Sequence, residues 1–157
     1  MTKSARQDPN LNLFARLFAI MAKKVIERFG EEGKEVVREA VRAFGESRGR
    51  DIAKKAQEAG EPLTVENYLN FYDMARSASY EVESEVSRNY ADQKFKFCPI
   101  WATFEEEGLE DYGYIYCEEI DTALARGYNP RIKFRHYHHF KDGKPDCHMD
   151  FTLEEES

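Results

Sequence analysis

The sequence predicts an α+β fold in which N-terminal helices pack on a small antiparallel sheet with a C-terminal hairpin. Apolar residues recur at helical spacing over about residues 10–78, whereas alternating apolar and polar residues mark strands within about 79–153. An Asp-Gly pair, typical of tight hairpin turns, stands between two late alternating runs. Because helices and strands fall in separate halves, we expect distinct helix and sheet layers within one domain, residues 1–157.

Four helices are predicted in the first half. The first covers about residues 10–29, the second 36–44, and the third, with a weaker pattern, starts near Ile52. Thr64 is a suitable N-cap for the fourth. Each of the first three is followed by a glycine that would end it as a C-cap: Gly30, Gly45 and Gly60.

The second half begins with two predicted strands and continues with two short helices. Residues 80–86 and 95–97 alternate in polarity, although apolar residues of the first run are also four apart, so a helix is its alternative. Pro99 suits the first turn of a helix that ends near Gly108. Another short helix is expected over about 117–126, closed by the next glycine.

Residues 131–140 and 146–153 form the predicted hairpin. If the Asp-Gly pair between them makes a two-residue type I′ turn, His138 faces Cys147 in a non-hydrogen-bonded pair. Such partners have Cβ atoms roughly 4.5 to 5.5 Å apart, so imidazole and thiol could act as base and nucleophile. The alternative is a buried thiol beside a hydrogen-bonded core histidine.

Two further cysteines lie at predicted helix positions. Cys98 directly precedes Pro99 and would be an N-cap, where thiols have lowered pKa values, so it is a candidate thiolate. A small apolar residue that ends a strand is the alternative. Cys117 and Asp121 are four apart and share a helix face, and a carboxylate on an apolar stripe needs a partner. A neighbouring helix end could also supply that partner.

The composition limits which binding partners and which cellular compartment are expected. The net charge of −7, without a basic patch, argues against binding to nucleic acid or an anionic membrane surface. No run of about 18 apolar residues and no signal-peptide pattern is present, and three unpaired cysteines suit a reducing compartment, so we expect a cytoplasmic protein. Surplus apolar residues on the first helix make a homodimer one consistent assembly.

A zinc site is the other interpretation of three cysteines with nearby histidines. Structural zinc sites usually contain a pair of closely spaced ligands, and the cysteines here lack that spacing. His136 and His138 could still share one face of a strand. We expect neither a bound metal nor a cofactor, and phosphate-binding and other familiar catalytic motifs are missing from the sequence.

Several short motifs in a fixed order carry a family resemblance that covers about residues 11–153. They are Ala43-Phe44-Gly45, Arg48-Gly49-Arg50, Phe97-Cys98-Pro99-Ile100, Tyr116-Cys117-Glu118-Glu119-Ile120-Asp121, Gly127-Tyr128-Asn129-Pro130, and Gly143 followed by Cys147 and Phe151. In this order they resemble the L-2-amino-thiazoline-4-carboxylic acid hydrolase family. The longer run from Gly143 to Cys147 departs from that family's pattern. A weaker resemblance is to vinyl-reductase-like domains, which bind small molecules.

The resemblance implies a hydrolase that opens a small cyclic amidine, 2-amino-thiazoline-4-carboxylate, to a carbamoyl-cysteine without a cofactor. It implies Cys98 or Cys147 as nucleophile, His138 as general base and Asp121 as partner of the amidine. The residues expected to contact the substrate are Cys117, Asn129, Trp101 and His136. The alternatives are a non-catalytic small-molecule-binding domain and a Cys/His metal-binding protein.

Overall fold

The computed structural model describes Ser4, residues 7–74 and residues 78–155. Its four strands form one antiparallel sheet in the order β1-β2-β4-β3, and helices cover one face, which confirms the predicted α+β fold. The elements are α1 (Pro9–Glu58), α2 (Val65–Asn70), β1 (Glu81–Ser87), β2 (Tyr90–Phe97), α3 (Pro99–Glu107), α4 (Glu110–Tyr128), β3 (Ile132–His138) and β4 (Cys147–Leu153).

Helix α1 folds back on itself at Gly30. This glycine has φ 62° and ψ −142°, outside the helical region and accessible to glycine without strain. The arms before and after it run antiparallel, since the ring centroids of Phe14 and Phe44 are 6.0 Å apart. The predicted end of the first helix at Gly30 is therefore confirmed.

The predicted boundary at Gly45 is wrong, because the second arm continues without a break to Glu58. Gly45 is a point of close contact with α4 and not a C-cap: a Cβ there would lie 2.6 Å from the Cβ of Ala123. The predictions at Gly60 (φ 75°) and at Thr64, whose hydroxyl accepts from the backbone N–H of Asn67 at 3.1 Å, are confirmed.

Three glycines let α1 and α4 cross at backbone contact, and we call Gly45, Gly49 and Gly127 the glycine seam. A Cβ at Gly49 would lie 2.2 Å from the carbonyl oxygen of Leu124, and one at Gly127 would lie 2.2 Å from that of Glu46. The seam fixes the distance between the axes of α1 and α4. It thereby positions the face of α4 that carries Cys117 and Asp121.

Gly49→Ala should lower the free energy of unfolding by about 3 kcal/mol or more, because the new methyl group meets backbone atoms that cannot move independently. Urea unfolding measures this change. Ser47→Ala, on the exposed side of the same helix turn, is the matched control and should change stability by less than about 0.5 kcal/mol. A similarly small effect of Gly49→Ala would show that the helices can separate at no cost.

The second half follows the prediction in element type. Residues 81–87 form strand β1, so the helical alternative is wrong. Helix α3 has Cys98 as its N-cap and Gly108, with φ 66°, as its C-cap, as predicted. Helix α4 begins at Glu110 and continues to Tyr128, so it is longer than predicted at both ends.

The hairpin differs from the predicted one near its turn. Five pairs, from Ile132 with Leu153 to His136 with Met149, have the predicted register, but a bulge then pairs His138 with His148. The Asp142 carboxylate accepts from the backbone N–H of His139 at 2.8 Å and caps a short 3₁₀ turn instead of forming a type I′ turn. The predicted pairing of His138 with Cys147 is therefore wrong.

The outer surface of the first arm of α1 is apolar. Leu13 and Leu17 are about 60% exposed, and Ile20 and Met21 lie on the same side. The homodimer expected through this helix stays a prediction. Within the described ranges, no helix has both the length and the hydrophobicity needed to cross a bilayer.

Candidate functional site

A cavity of about 700 Å³ lies between the inner face of the sheet and the helices α2 and α4. Strand alternation and register place one side chain from every strand in a single row of its floor: Ser84, Gln93, Met149 and His136. The remaining walls are largely apolar and aromatic, with three thiols and one carboxylate among them. Of the residues that the sequence predicted for the site, five line this cavity: Cys98, Cys117, Asp121, His136 and Cys147.

Cys147 and His136 form the closest thiol–imidazole pair of the cavity. The Nε2 atom of His136 lies 3.1 Å from the Sγ atom of Cys147, on the inner face of adjacent strands. Burial raises the pKa of Cys147 and lowers the pKa of His136. Near neutral pH the pair is therefore a thiol beside an uncharged imidazole that can accept its proton.

Cys98 lies at the predicted N-cap, but its predicted low pKa is wrong. Its Sγ accepts from the backbone N–H of Trp101 at 3.5 Å, which favours the thiolate. Burial nevertheless raises the pKa of Cys98 to about 11, because desolvation of the thiolate outweighs the backbone N–H groups. Burial likewise raises the pKa of Cys117 well above its ordinary value.

Asp121 lies one helix turn after Cys117 and lines the same cavity, as the spacing predicted. Burial raises the pKa of Asp121 to about 6, and the charge of Arg48 opposes that rise. Its carboxylate has no hydrogen bond or ion pair within the described part of the chain. After burial, its negative charge adds to the raised pKa of Cys98, Cys117 and Cys147, so the carboxylate lies near enough to act on all three thiols.

A group of tyrosines in the wall was not identified from the sequence: Tyr68, Tyr72, Tyr80 and Tyr116. Tyr68 is 1% exposed, and its hydroxyl has no hydrogen-bond partner among the described residues. Buried hydroxyls are normally bonded, so this one could donate to a ligand. Tyr68 and Tyr72 are four apart, a spacing typical of one helix face, but α2 ends at Asn70, before Tyr72.

Arg48, noted only as part of a family motif, supplies positive charge behind the wall. It is 8% exposed and donates two hydrogen bonds to Asp73, at 2.6 and 2.7 Å. Its Nη1 atom also lies 3.5 Å from the hydroxyl oxygen of Tyr116. The guanidinium therefore acts on the cavity through the tyrosines and does not enter it.

His138, predicted as the general base, points away from the cavity. The bulge places its ring on the outer face of the sheet, where Nε2 pairs with a carboxylate oxygen of Asp146. Asp146 also accepts from the Lys96 ammonium at 3.1 Å. His136 takes the position beside Cys147 that the turn prediction had assigned to His138.

Trp101 and Asn129, predicted to contact the substrate, also lie outside the cavity lining. The indole of Trp101 is 4% exposed, donates to Glu105 and packs edge-on against His139. The side-chain amide of Asn129 donates to the carbonyl of Leu63 at 2.9 Å and joins the end of α4 to the segment before α2. Both contacts are ones that hold neighbouring segments together.

Within the described residues, no group of three or more His, Cys, Asp or Glu side chains is arranged to hold a metal ion. The donors of the cavity are instead spread along its walls. The expectation that the protein contains no metal stays a prediction.

Comparison with known proteins places the chain in a family and a fold. Residues 11–151 match the family model described as L-2-amino-thiazoline-4-carboxylic acid hydrolase. A crystal structure of a trafficking protein particle complex subunit 3 from Naegleria fowleri, covalently bound to palmitic acid, has a TM-score of 0.55 at 12% sequence identity. That match covers 93% of this chain and 96% of the other, and at this identity it shows the fold alone.

No curated protein matches in sequence. The family match extends over nearly all of the chain, including the three thiols and Asp121. The protein belongs to the L-2-amino-thiazoline-4-carboxylic acid hydrolase family.

Proposed function

We propose that the protein is a thiol-dependent hydrolase that opens the ring of a cyclic amidine such as 2-amino-thiazoline-4-carboxylate, releasing a carbamoyl-cysteine. The observation that carries the proposal is that Asp121, whose carboxylate has no partner among the described residues, lines the same cavity as the pair of Cys147 and His136. A protonated amidine is a cation of the kind such a carboxylate would bind. Family membership supports the reaction class.

In the proposed reaction Cys147 is the nucleophile and His136 is the general base. As Sγ bonds to the ring carbon between nitrogen and sulfur, Nε2 of His136 accepts the thiol proton. The ring carbon–nitrogen bond then breaks, and the ring nitrogen takes that proton. Water adds to the same carbon and expels Sγ, which is reprotonated, leaving the carbamoyl group on the substrate sulfur.

Asp121 would contribute to binding and to activation. Its negative charge disfavours a thiolate nearby, and an amidinium bound to it would offset that charge. The nucleophile would therefore ionise more readily with substrate present than without it. The hydroxyl of Tyr68, which has no hydrogen-bond partner among the described residues, could donate to the substrate carboxylate, with the Arg48 guanidinium adding positive charge from behind the wall.

His136→Gln should lower turnover of 2-amino-thiazoline-4-carboxylate by about 10²- to 10⁴-fold, because glutamine cannot accept the thiol proton. Release of carbamoyl-cysteine by the purified variants measures this. His138→Gln is the matched control, two residues along the same strand but on the outer face, and should keep turnover within about twofold of the original. A large loss in His138→Gln alone would refute the assignment of the base.

The second candidate is a small-molecule-binding module without catalysis. It is favoured by the raised pKa of all three cavity thiols, since catalytic thiols are usually more acidic than ordinary ones. The solved structure of the same fold is covalently bound to palmitic acid, so such a scaffold can hold a long apolar molecule. Absence of ring opening across a panel of cyclic amidines, together with tight binding, would favour this candidate.

A further inference from the structure

The cavity is much larger than a bare amidine ring requires. Cavities of about 300 to 1,000 Å³ hold drug-sized ligands, whereas 2-amino-thiazoline-4-carboxylate has only about nine non-hydrogen atoms. At about 700 Å³ the cavity is well within that range. Its apolar walls favour filling the remaining space with carbon over filling it with water.

The register of the sheet shows that the cavity extends across the strands, from β3 to β1. His136 on β3 pairs with Met149 on β4, which pairs with Gln93 on β2, which pairs with Ser84 on β1. All four line the cavity. Since neighbouring strands lie about 4.8 Å apart, the floor extends roughly 14 Å from the thiol–imidazole pair to β1.

The far end of this floor has uncovered apolar side chains. Val82 and Val86 of β1 line the cavity and are 42% and 46% exposed. Leu69 and Met74 face the same space from the helical side. By contrast, the opposite face of β1 carries Glu83 and Glu85, so the apolar surface is confined to the cavity side.

We propose that the substrate is an amidine bearing one unbranched apolar chain, with its cationic head at Asp121 and its chain lying across the sheet toward Ser84 and Val86. An extended alkyl chain advances roughly 1.3 Å per bond, so a 14 Å floor takes about ten methylene groups. The position of the cationic head at Asp121 rests on the proposed function. The position of the alkyl chain rests on the shape and lining of the cavity alone.

The test is calorimetric titration of the whole protein with straight-chain alkylamidines, from acetamidine to hexadecanamidine, each below its micelle-forming concentration. Affinity should rise roughly fourfold per methylene up to about ten carbons and then level off, since further carbons lie beyond β1 in water. Affinity that stops rising after the first few carbons would overturn the proposal. Equal binding of the uncharged dodecanamide would also overturn it, because the charge of Asp121 would then contribute nothing.

Ser84→Trp should block the outer end of the floor. We expect affinity to level off several carbons earlier in this variant, with acetamidine binding unchanged. Glu83→Trp, on the opposite face of the same strand, is the matched control and should keep the original chain-length profile. Because the control bears the same large side chain on β1, its melting temperature shows whether the strand tolerates tryptophan. An unchanged profile in a folded Ser84→Trp would overturn the proposal.

The proposed function is tested separately by ring opening. Chain-length-dependent binding without turnover of any cyclic amidine would leave the chain proposal standing and remove the catalytic one. Turnover of 2-amino-thiazoline-4-carboxylate without any chain-length dependence of alkylamidine binding would support the catalytic proposal and overturn the proposal of an alkyl chain.

Discussion

Replacing Cys147 with serine is expected to abolish ring opening, with a loss of at least about 10³-fold in turnover and a change of less than about 1 kcal/mol in the free energy of unfolding. Serine has nearly the same size, but its hydroxyl is a far weaker nucleophile than a thiol whose proton His136 can accept at 3.1 Å. Turnover and urea unfolding of the same preparation measure the two effects.

The other cavity cysteines provide the controls. Cys98→Ser should keep most of the activity and keep or raise stability, because serine is a preferred helix N-cap and position 98 caps α3. Cys117→Ser should also retain turnover. A complete loss of activity in Cys98→Ser, with Cys147→Ser still active, would move the nucleophile to the helix N-terminus.

Asp121→Asn should have opposite effects on stability and on binding. Burial raises the pKa of Asp121 from 3.8 to about 6, so the folded state binds a proton more tightly than the unfolded state. The stability of the original protein should therefore fall as pH rises through about 4 to 6, by up to about 3 kcal/mol. The asparagine variant lacks this loss and should be the more stable protein at pH 7.

The same substitution should weaken binding of a cationic amidine by about 10²-fold, because a charge-assisted contact becomes a neutral one. In the original protein kcat/KM should decline as pH falls through about 6, where the carboxylate becomes protonated. Calorimetric measurement of amidine binding and urea unfolding of both proteins, each from pH 4 to pH 8, check both expectations. If Asp121→Asn binds the cation as well as the original and is no more stable, the carboxylate does not face the ligand.

The ends of α3 and the helix face shared by Cys117 and Asp121 were predictable from the sequence because they depend on residues close together in the chain. A cap at Cys98, a proline after it and Gly108 together define α3, and the four-residue spacing of Cys117 and Asp121 places both on one helix face. The structural role of each glycine in α1 was ambiguous in the sequence. Gly30 ends a helical arm, whereas Gly45 lies within one because α4 packs against it, and a single sequence does not distinguish these two uses.

The predicted pairing of His138 with Cys147 was wrong because one residue of register exchanges the faces of a strand. The bulge near His138 depends on the capped turn that follows it, in which the carboxylate of Asp142 bonds to the backbone instead of entering a tight turn. Tyr68 was missed for another reason. Its place in the wall depends on how α2 packs on the sheet, a long-range contact that local patterns do not contain.

Strand β1 also bears on the tendency of the protein to aggregate. It pairs with β2 along one edge, and within the described residues no strand pairs with the other edge. Open edges invite strand addition by a second molecule, and the valines beside the cavity would favour such stacking. Glu83 and Glu85 oppose it, since a neighbouring copy would bring like charges together. The strand at the open end of the cavity thus carries charges that oppose fibre-like aggregation.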